Sequence, residues 1–174
     1  ADIVLWGGSA GGDGNFTVGN SACINTNASC DVSSNSTSGG NIIMGGGAAG
    51  TTQPTGPIVN TSSVNAISFG TGINSGINVL SGGGNIEIRG TSNVNGVSSW
   101  SGFTLKATTG SITVEGTSSG TAQGVRIAAS GTSTIASAKT NGDAITITGN
   151  NTSNSIIAGL SLIHISEPTR LRRI

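Results

Sequence analysis

The sequence predicts an all-β fold, a β-solenoid built from short parallel strands, and three observations predict it. One phrase occurs four times: a small residue, then apolar–any–apolar, with a glycine close behind. It reads Asn41-Ile42-Ile43-Met44 before Gly45, Asn85-Ile86-Glu87-Ile88-Arg89-Gly90, Ser111-Ile112-Thr113-Val114-Glu115-Gly116 and Ala144-Ile145-Thr146-Ile147-Thr148-Gly149. Alternation with a period of two marks a strand with one apolar face. Strands this short cannot bury that face alone, whereas stacked copies can. A second phrase, glycine then apolar–any–apolar, interleaves with the first at Gly76-Ile77-Asn78-Val79, Gly102-Phe103-Thr104-Leu105 and Gly124-Val125-Arg126-Ile127. The third observation is composition. Of 174 residues, 30 are Gly, 48 are Ser or Thr and 17 are Asn, while only 8% are charged, against about 25% in an ordinary globular domain. Such a composition also suits a disordered segment, but the fixed placement of Ile and Val after Gly favours the solenoid. Gly and β-branched residues argue against helix almost throughout.

Taken in order, the first element is an opening strand at Asp2-Ile3-Val4-Leu5-Trp6. Cys23 and Cys30 then flank a polar loop. A bridge across so short a loop would stabilise by about 2–2.5 kcal/mol through chain entropy, and an exported protein would favour it. Two free thiols are the open alternative, since Cys is also a common core residue. The four copies of the first phrase begin their apolar runs at Ile42, Ile86, Ile112 and Ile145, in steps of 44, 26 and 33 residues. The unequal steps imply loops of variable length. The 44-residue step has room for an additional rung using Val64 to Phe69, and the 33-residue step for a third strand at Thr134-Ile135-Ala136. A further copy of the second phrase would begin at Gly159. The register sets Glu87 over Thr113 and Thr146, and Arg89 over Glu115 and Thr148. Arg89 and Glu115 are thereby placed to pair across rungs, at roughly 0.2–1 kcal/mol.

Residues 1–159 are therefore expected to form one solenoid segment, more irregular over 1–70 and regular over 71–159. Cut at both ends and without caps, it would aggregate or be marginally stable. Residues 160–174 break the pattern: they hold the only His and no Gly. The eleven residues from Leu160 to Arg170 resemble the in-frame translation of a transposase-type sequencing-library adapter, which would make 160–174 a non-native tail on a metagenomic or draft-assembly fragment. Three of the seven basic residues lie in that tail. Without it the balance is four basic residues to six acidic, or −2. Nothing in this charge suggests a nucleic-acid or anionic-membrane partner, and no apolar run is long enough to span a membrane.

Chemistry-bearing motifs are sparse. Gly45 to Gly50 fits G-x-G-x-x-G, but Pro54 and Pro57 follow where a dinucleotide site needs a helix. Gly11-Gly12-Asp13-Gly14-Asn15 lacks the tandem spacing of a calcium-binding repeat. Two cysteines without a nearby His are too few for structural zinc. Polysaccharide-degrading enzymes on β-helices cluster acidic and basic groups, and here those groups are spread out. No catalytic, cofactor-binding or metal-binding set is expected, and the chain is not expected to be an enzyme. Outward threonines such as Thr146 and Thr148 would suit an ice-binding face, but Glu87, Arg89 and Glu115 interrupt it. Phe103 falls at an inward position and is expected in the core. Trp100 falls in the preceding loop and is the candidate surface contact for a ligand.

The phrases resemble the repeat regions of large secreted bacterial adhesins of the filamentous haemagglutinin type. The opening strand ending in Trp6, the block Gly39-Gly40-Asn41-Ile42-Ile43-Met44-Gly45-Gly46-Gly47, the run Gly83-Gly84-Asn85-Ile86-Glu87-Ile88-Arg89-Gly90 and Gly124-Val125-Arg126-Ile127 carry the resemblance across most of 1–159. It implies a right-handed parallel β-helix, export through an outer-membrane secretion partner, and a secreted, cell-surface location. It also implies a role in adhesion, aggregation or biofilm through glycans or proteins of a host or neighbouring cell. The cysteine pair departs from the Cys-poor composition usual for such proteins. The alternative function is a carbohydrate-active or carbohydrate-binding β-helix protein.

Overall fold

A computed structural model describes residues 1–9, 14–26, 30–47, 54–71, 76–127 and 130–152, and among these the fold is all-β with no helix. The strands fall into successive rungs. The first holds β1 (Ile3–Ser9), β2 (Phe16–Val18) and β3 (Cys23–Asn25). The second holds β4 (Ile42–Gly47), β5 (Ile58–Asn60), β6 (Ile67–Phe69) and β7 (Ile77–Gly82). The third holds β8 (Ile86–Ser92), β9 (Val97–Ser99) and β10 (Phe103–Ala107). The fourth holds β11 (Ile112–Ser118), β12 (Val125–Ile127) and β13 (Thr134–Ser137), and β14 (Ile145–Asn151) opens a fifth. Corresponding strands stack into three sheets: β1-β4-β8-β11-β14 with β5 beside β8 on the first face, β2-β6-β9-β12 on the second, and β3-β7-β10-β13 on the third. Every strand pairing in these sheets is parallel.

The repeated phrase explains this stacking. Ile42 pairs with Ile86, Ile86 with Ile112 and Ile112 with Ile145. Met44, Ile88, Val114 and Ile147 form the next row in the same way. On the third face Val79 lies between Ile24 and Leu105, and Leu105 lies beside Ile135. These side chains, Ile145 apart, meet in one continuous apolar core in which Ile42, Met44, Ile86, Ile88 and Ile112 are wholly buried. Each should contribute about 1.5–3 kcal/mol. The last described rung is less covered, with Ile145 36% exposed.

The first-face strands run beyond the three residues that their apolar alternation marks. β8 and β11 continue through Gly90 and Gly116 to Ser92 and Ser118, with the buried and partly exposed positions still alternating in β8. The glycines occupy inward positions at the corner with the second face. A Cβ on Gly90 would lie 2.2 Å from the carbonyl oxygen of Gly96, and one on Gly116 would lie 2.0 Å from that of Gly124. The corner thus closes only because neither side carries a side chain. Beyond it, Asn60, Ser92, Ser118 and Asn151 stand in register. Asn60 donates to the carbonyl of Gly14 at 3.0 Å, Ser92 to that of Val64 and Asn151 to that of Ala122, holding the chain as it turns.

Two expectations are corrected. Among the described residues the 44-residue step contains no additional rung: Ile67–Phe69 is the second-face strand of the second rung, pairing with β2 and β9. Part of the extra length lies in sequence between β4 and β5. Gly46 and Gly56 exchange N–H···O bonds of 2.8 and 2.9 Å. β4 then covers Ile86 to Ile88, and β5 covers Gly90 to Ser92. Two short strands so do the work of one long strand elsewhere. The second correction concerns Gly124-Val125-Arg126-Ile127, which lies on the second face over Val97-Ser98-Ser99, whereas Gly76 and Gly102 introduce third-face strands. A glycine before apolar–any–apolar serves the entry to either face, so the phrase alone does not assign one. The third strand expected at Thr134-Ile135-Ala136 is β13, paired with β10.

Cys23 and Cys30 form a disulfide, with Cα atoms 6.2 Å apart. The bridge begins a strap, residues 31–40, that crosses the third face. Lys106 Nζ donates to Val32 O and Ser34 O, both at 2.8 Å, and to Asn35 Oδ1 at 3.0 Å, so all three ammonium hydrogens have partners. Thr26 Oγ1 lies within hydrogen-bond distance of Gly40 O (2.9 Å) and Ser81 O (3.0 Å) at the strap's far end. Leu80, the register neighbour of Lys106, is 3% exposed although it lies outside the core cluster. Gly159 and the segment 160–174 lie outside the described residues, as do Asp13 and the last residues of the G-x-G-x-x-G match. Gly45, Gly46 and Gly47 of that match belong to β4.

Candidate functional site

The outer side of the second face carries a row set by register: Thr17 beside Ser68, Ser68 beside Ser98, and Ser98 beside Arg126. These are the middle residues of three-residue strands, which alternation directs away from the core; Thr17 is exposed and Ser68 and Arg126 are half-buried, while Ser98 is buried. Trp100 follows β9 immediately. Its N–H donates to Phe69 O at 3.2 Å, and its carbonyl accepts the Ser130 hydroxyl at 3.2 Å. The backbone of the ring-bearing residue is thus held between two rungs.

The indole itself stays 47% exposed. The Arg126 guanidinium carbon sits 4.8 Å from the ring centroid, a cation–π contact that props the ring at a fixed angle. Beside the ring is an open groove of about 320 Å³, in which Trp100, Val64 and Val94 meet Thr17, Asn65 and Ser68. Its lining residues are uncharged. Asn65 anchors the floor. Its Oδ1 accepts Asn95 Nδ2 at 2.8 Å, and its Nδ2 donates to Ser68 Oγ at 3.1 Å. Because Ser68 accepts that bond, its own hydroxyl hydrogen remains for another acceptor. Ser98 Oγ, in the same row, is buried with no hydrogen-bond partner among the described residues.

Trp100 follows β9 in the loop where the sequence places it and is exposed; the groove beside it is a feature of the fold alone. Phe103 lies in the core and stacks on Phe69 with centroids 5.5 Å apart. The cysteine pair is structural and belongs to the strap. On the first face Arg89 bonds Glu115 at 3.2 Å as the register implies, and also Glu87 of its own strand at 2.9 Å. A second groove runs past Arg89, Glu115, Thr91, Thr117 and Thr148. In both grooves the chemistry on offer is hydrogen bonding, with an aromatic face in the first and paired charges in the second. Sequence reasoning missed the Asn65–Ser68 contact and the role of Arg126 against Trp100. Asn65 and Asn95 each stand two residues before a second-face strand, and that shared spacing was the available signal. No family model matches the chain, and no curated protein or solved structure matches it.

Proposed function

We propose that this chain is a structural repeat segment of a secreted, surface-exposed bacterial adhesin, a right-handed parallel β-helix. It extends from the cell and displays its loops and outer faces for adhesion, aggregation or biofilm formation. The observation that carries this reading is the unbroken rung-on-rung register of Ile86, Ile112 and Ile145 with their neighbours. Such an interior lengthens by adding rungs without changing the outer surface. Partners are glycans or proteins of a host or neighbouring cell, together with an outer-membrane secretion partner. Nucleic acid and membrane insertion are not part of the proposal. Among the described residues no helix is long and apolar enough to cross a membrane.

The test is to sequence the coding DNA outward from both ends and then to label intact cells expressing the parent gene with antibody to this chain. Further Gly-x-Ile-x-Ile repeats behind an export signal, with surface labelling, are expected. A short gene with clustered acidic and basic residues, or labelling only after cell lysis, would overturn the adhesin. A second reading, a carbohydrate-binding β-helix module, is favoured by the exposed Trp100 beside an uncharged, hydroxyl-lined groove.

A further inference from the structure

We propose that the second face binds a neutral, linear glycan laid along the solenoid axis, with Trp100 as the platform at one end of its track. The proposal deepens the carbohydrate-binding reading and rests on it, but it does not require that the chain belong to an adhesin.

The groove draws its polar groups from successive rungs: Thr17 from β2, Asn65 and Ser68 around β6, and Trp100 after β9. Parallel rungs repeat at about 4.8 Å, close to the advance of one pyranose along an extended chain. A glycan on this axis therefore meets Thr17 and Ser68 as equivalent hydroxyl positions on two successive rungs and the Trp100 ring on the third, where the in-register Ser98 is buried. Sugars need two kinds of contact, a flat apolar surface for their C–H faces and fixed hydrogen-bond groups for their hydroxyls. Trp100 supplies the first, steadied by Arg126 at 4.8 Å. Thr17 and Ser68, adjacent in register, supply the second, with Ser68 fixed by Asn65 at 3.1 Å. The choice of a neutral ligand follows from charge. No residue lining the groove is ionisable, and the nearby guanidinium is already engaged on the ring. An open cleft of about 320 Å³ is at the small end of the usual ligand-site range of roughly 300–1,000 Å³, as suits a short stretch of a polymer.

The test uses the full 174-residue chain carrying Trp6→Phe, so that Trp100 is the only fluorophore. Xylo-, cello- and chito-oligosaccharides are titrated against its emission, beside oligogalacturonate and a heparin-derived hexasaccharide. We expect a saturable shift with at least one neutral series, with Kd on the order of 1 mM or tighter. Affinity should rise with length up to about three sugars, one per rung, and then level off. Trp100→Ala, followed by saturation-transfer NMR on the sugar, should lose binding at least about tenfold, or 1.4 kcal/mol. Ser68→Arg, which fills the track without touching the core, should do the same. The proposal is overturned if no neutral oligosaccharide gives a saturable signal, if an anionic one binds more tightly than every neutral one, or if Ser68→Arg binds as well as the parent. Loss of glycan binding with surface labelling intact removes this site alone, while binding without surface labelling removes the adhesin alone.

Discussion

The side-chain oxygen of Asn41 accepts the backbone N–H of Asn85 at 2.9 Å across 44 residues of sequence. The same contact recurs one rung on, where Asn85 Oδ1 accepts the N–H of Ser111 at 2.9 Å and its hydroxyl at 3.0 Å. One rung back, the Asp2 carboxylate accepts the N–H of Asn41 at 2.7 Å. Each of these residues stands just ahead of a first-face strand. The side chains thus form a ladder at the corner where the chain enters the sheet. A second ladder enters the second face, where Asn95 donates to Asn65 and Gln123 to Asn95.

Asn85→Ala removes an acceptor that serves two groups of Ser111. One lost partner at a part-buried backbone N–H costs about 1–3 kcal/mol. Urea unfolding followed by circular dichroism should show a lower midpoint with an unchanged slope, because the surface exposed on unfolding is the same. An unchanged midpoint would reduce the ladder to decoration.

The Gly116–Gly124 corner makes a sharper prediction. A methyl group on Gly116 would stand 2.0 Å from a backbone oxygen, which cannot swing aside as a side chain does. Gly116→Ala should therefore cost about 1–3 kcal/mol or more. Thr117→Ala, one position along with its side chain on the outer surface, should stay within about 0.5 kcal/mol. Comparing the two melting curves separates the close approach from any general effect of changing this strand.

The core predicts a gradient. Ile88 is wholly buried between Met44 and Val114, so Ile88→Ala should cost about 2–5 kcal/mol. Ile145 holds the same place in its phrase as Ile86, yet is 36% exposed. Ile145→Ala should cost less than about 2 kcal/mol, since part of its surface already faces water. Equal losses at both positions, read from urea midpoints, would mean that the last described rung is covered as well as the third.

These relationships differ in how plainly the sequence carried them. Period-two alternation placed Arg89 over Glu115, because a register shifted by one residue would turn every isoleucine outward. Trp100 fell between two phrases, and a residue between strands has no inward position to fill. The face on which Gly124-Val125-Arg126-Ile127 lies was not legible, since all three faces ask for the same short apolar pattern. Nor was the division of the second rung's first-face strand into β4 and β5, because length alone does not distinguish added sequence within a rung from an inserted rung. The cysteine spacing permitted both a bridge and free thiols, and only the fold, with the Cα atoms 6.2 Å apart, decides for the bridge. The asparagine ladder was the main omission. Asn41, Asn85 and Ser111 share one position of the phrase, and small size alone does not distinguish a ladder residue there from a spacer such as Ala144.

The strap supplies a pH-dependent prediction. The Ser33 hydroxyl hydrogen-bonds to the Asp31 carboxylate at 2.7 Å, and the Ser33 N–H donates to it at 2.8 Å. These two bonds, with a smaller attraction from Lys106, hold the Asp31 pKa below its ordinary value of 3.8 against a small opposing effect of desolvation. A carboxylate with a depressed folded pKa contributes stability that is fully present above its unfolded value. That contribution is lost as pH falls through the folded value. The strap turn should therefore be intact at neutral pH and loosen only under acid, with its midpoint below that of free aspartate. The Ser33 amide resonance reports this directly. Asp31→Asn should abolish its acid step while the Cys23–Cys30 bridge and the Lys106 contacts keep the rest of the strap in place. A Ser33 titration at or above the ordinary aspartate value would show that the carboxylate does not hold the turn.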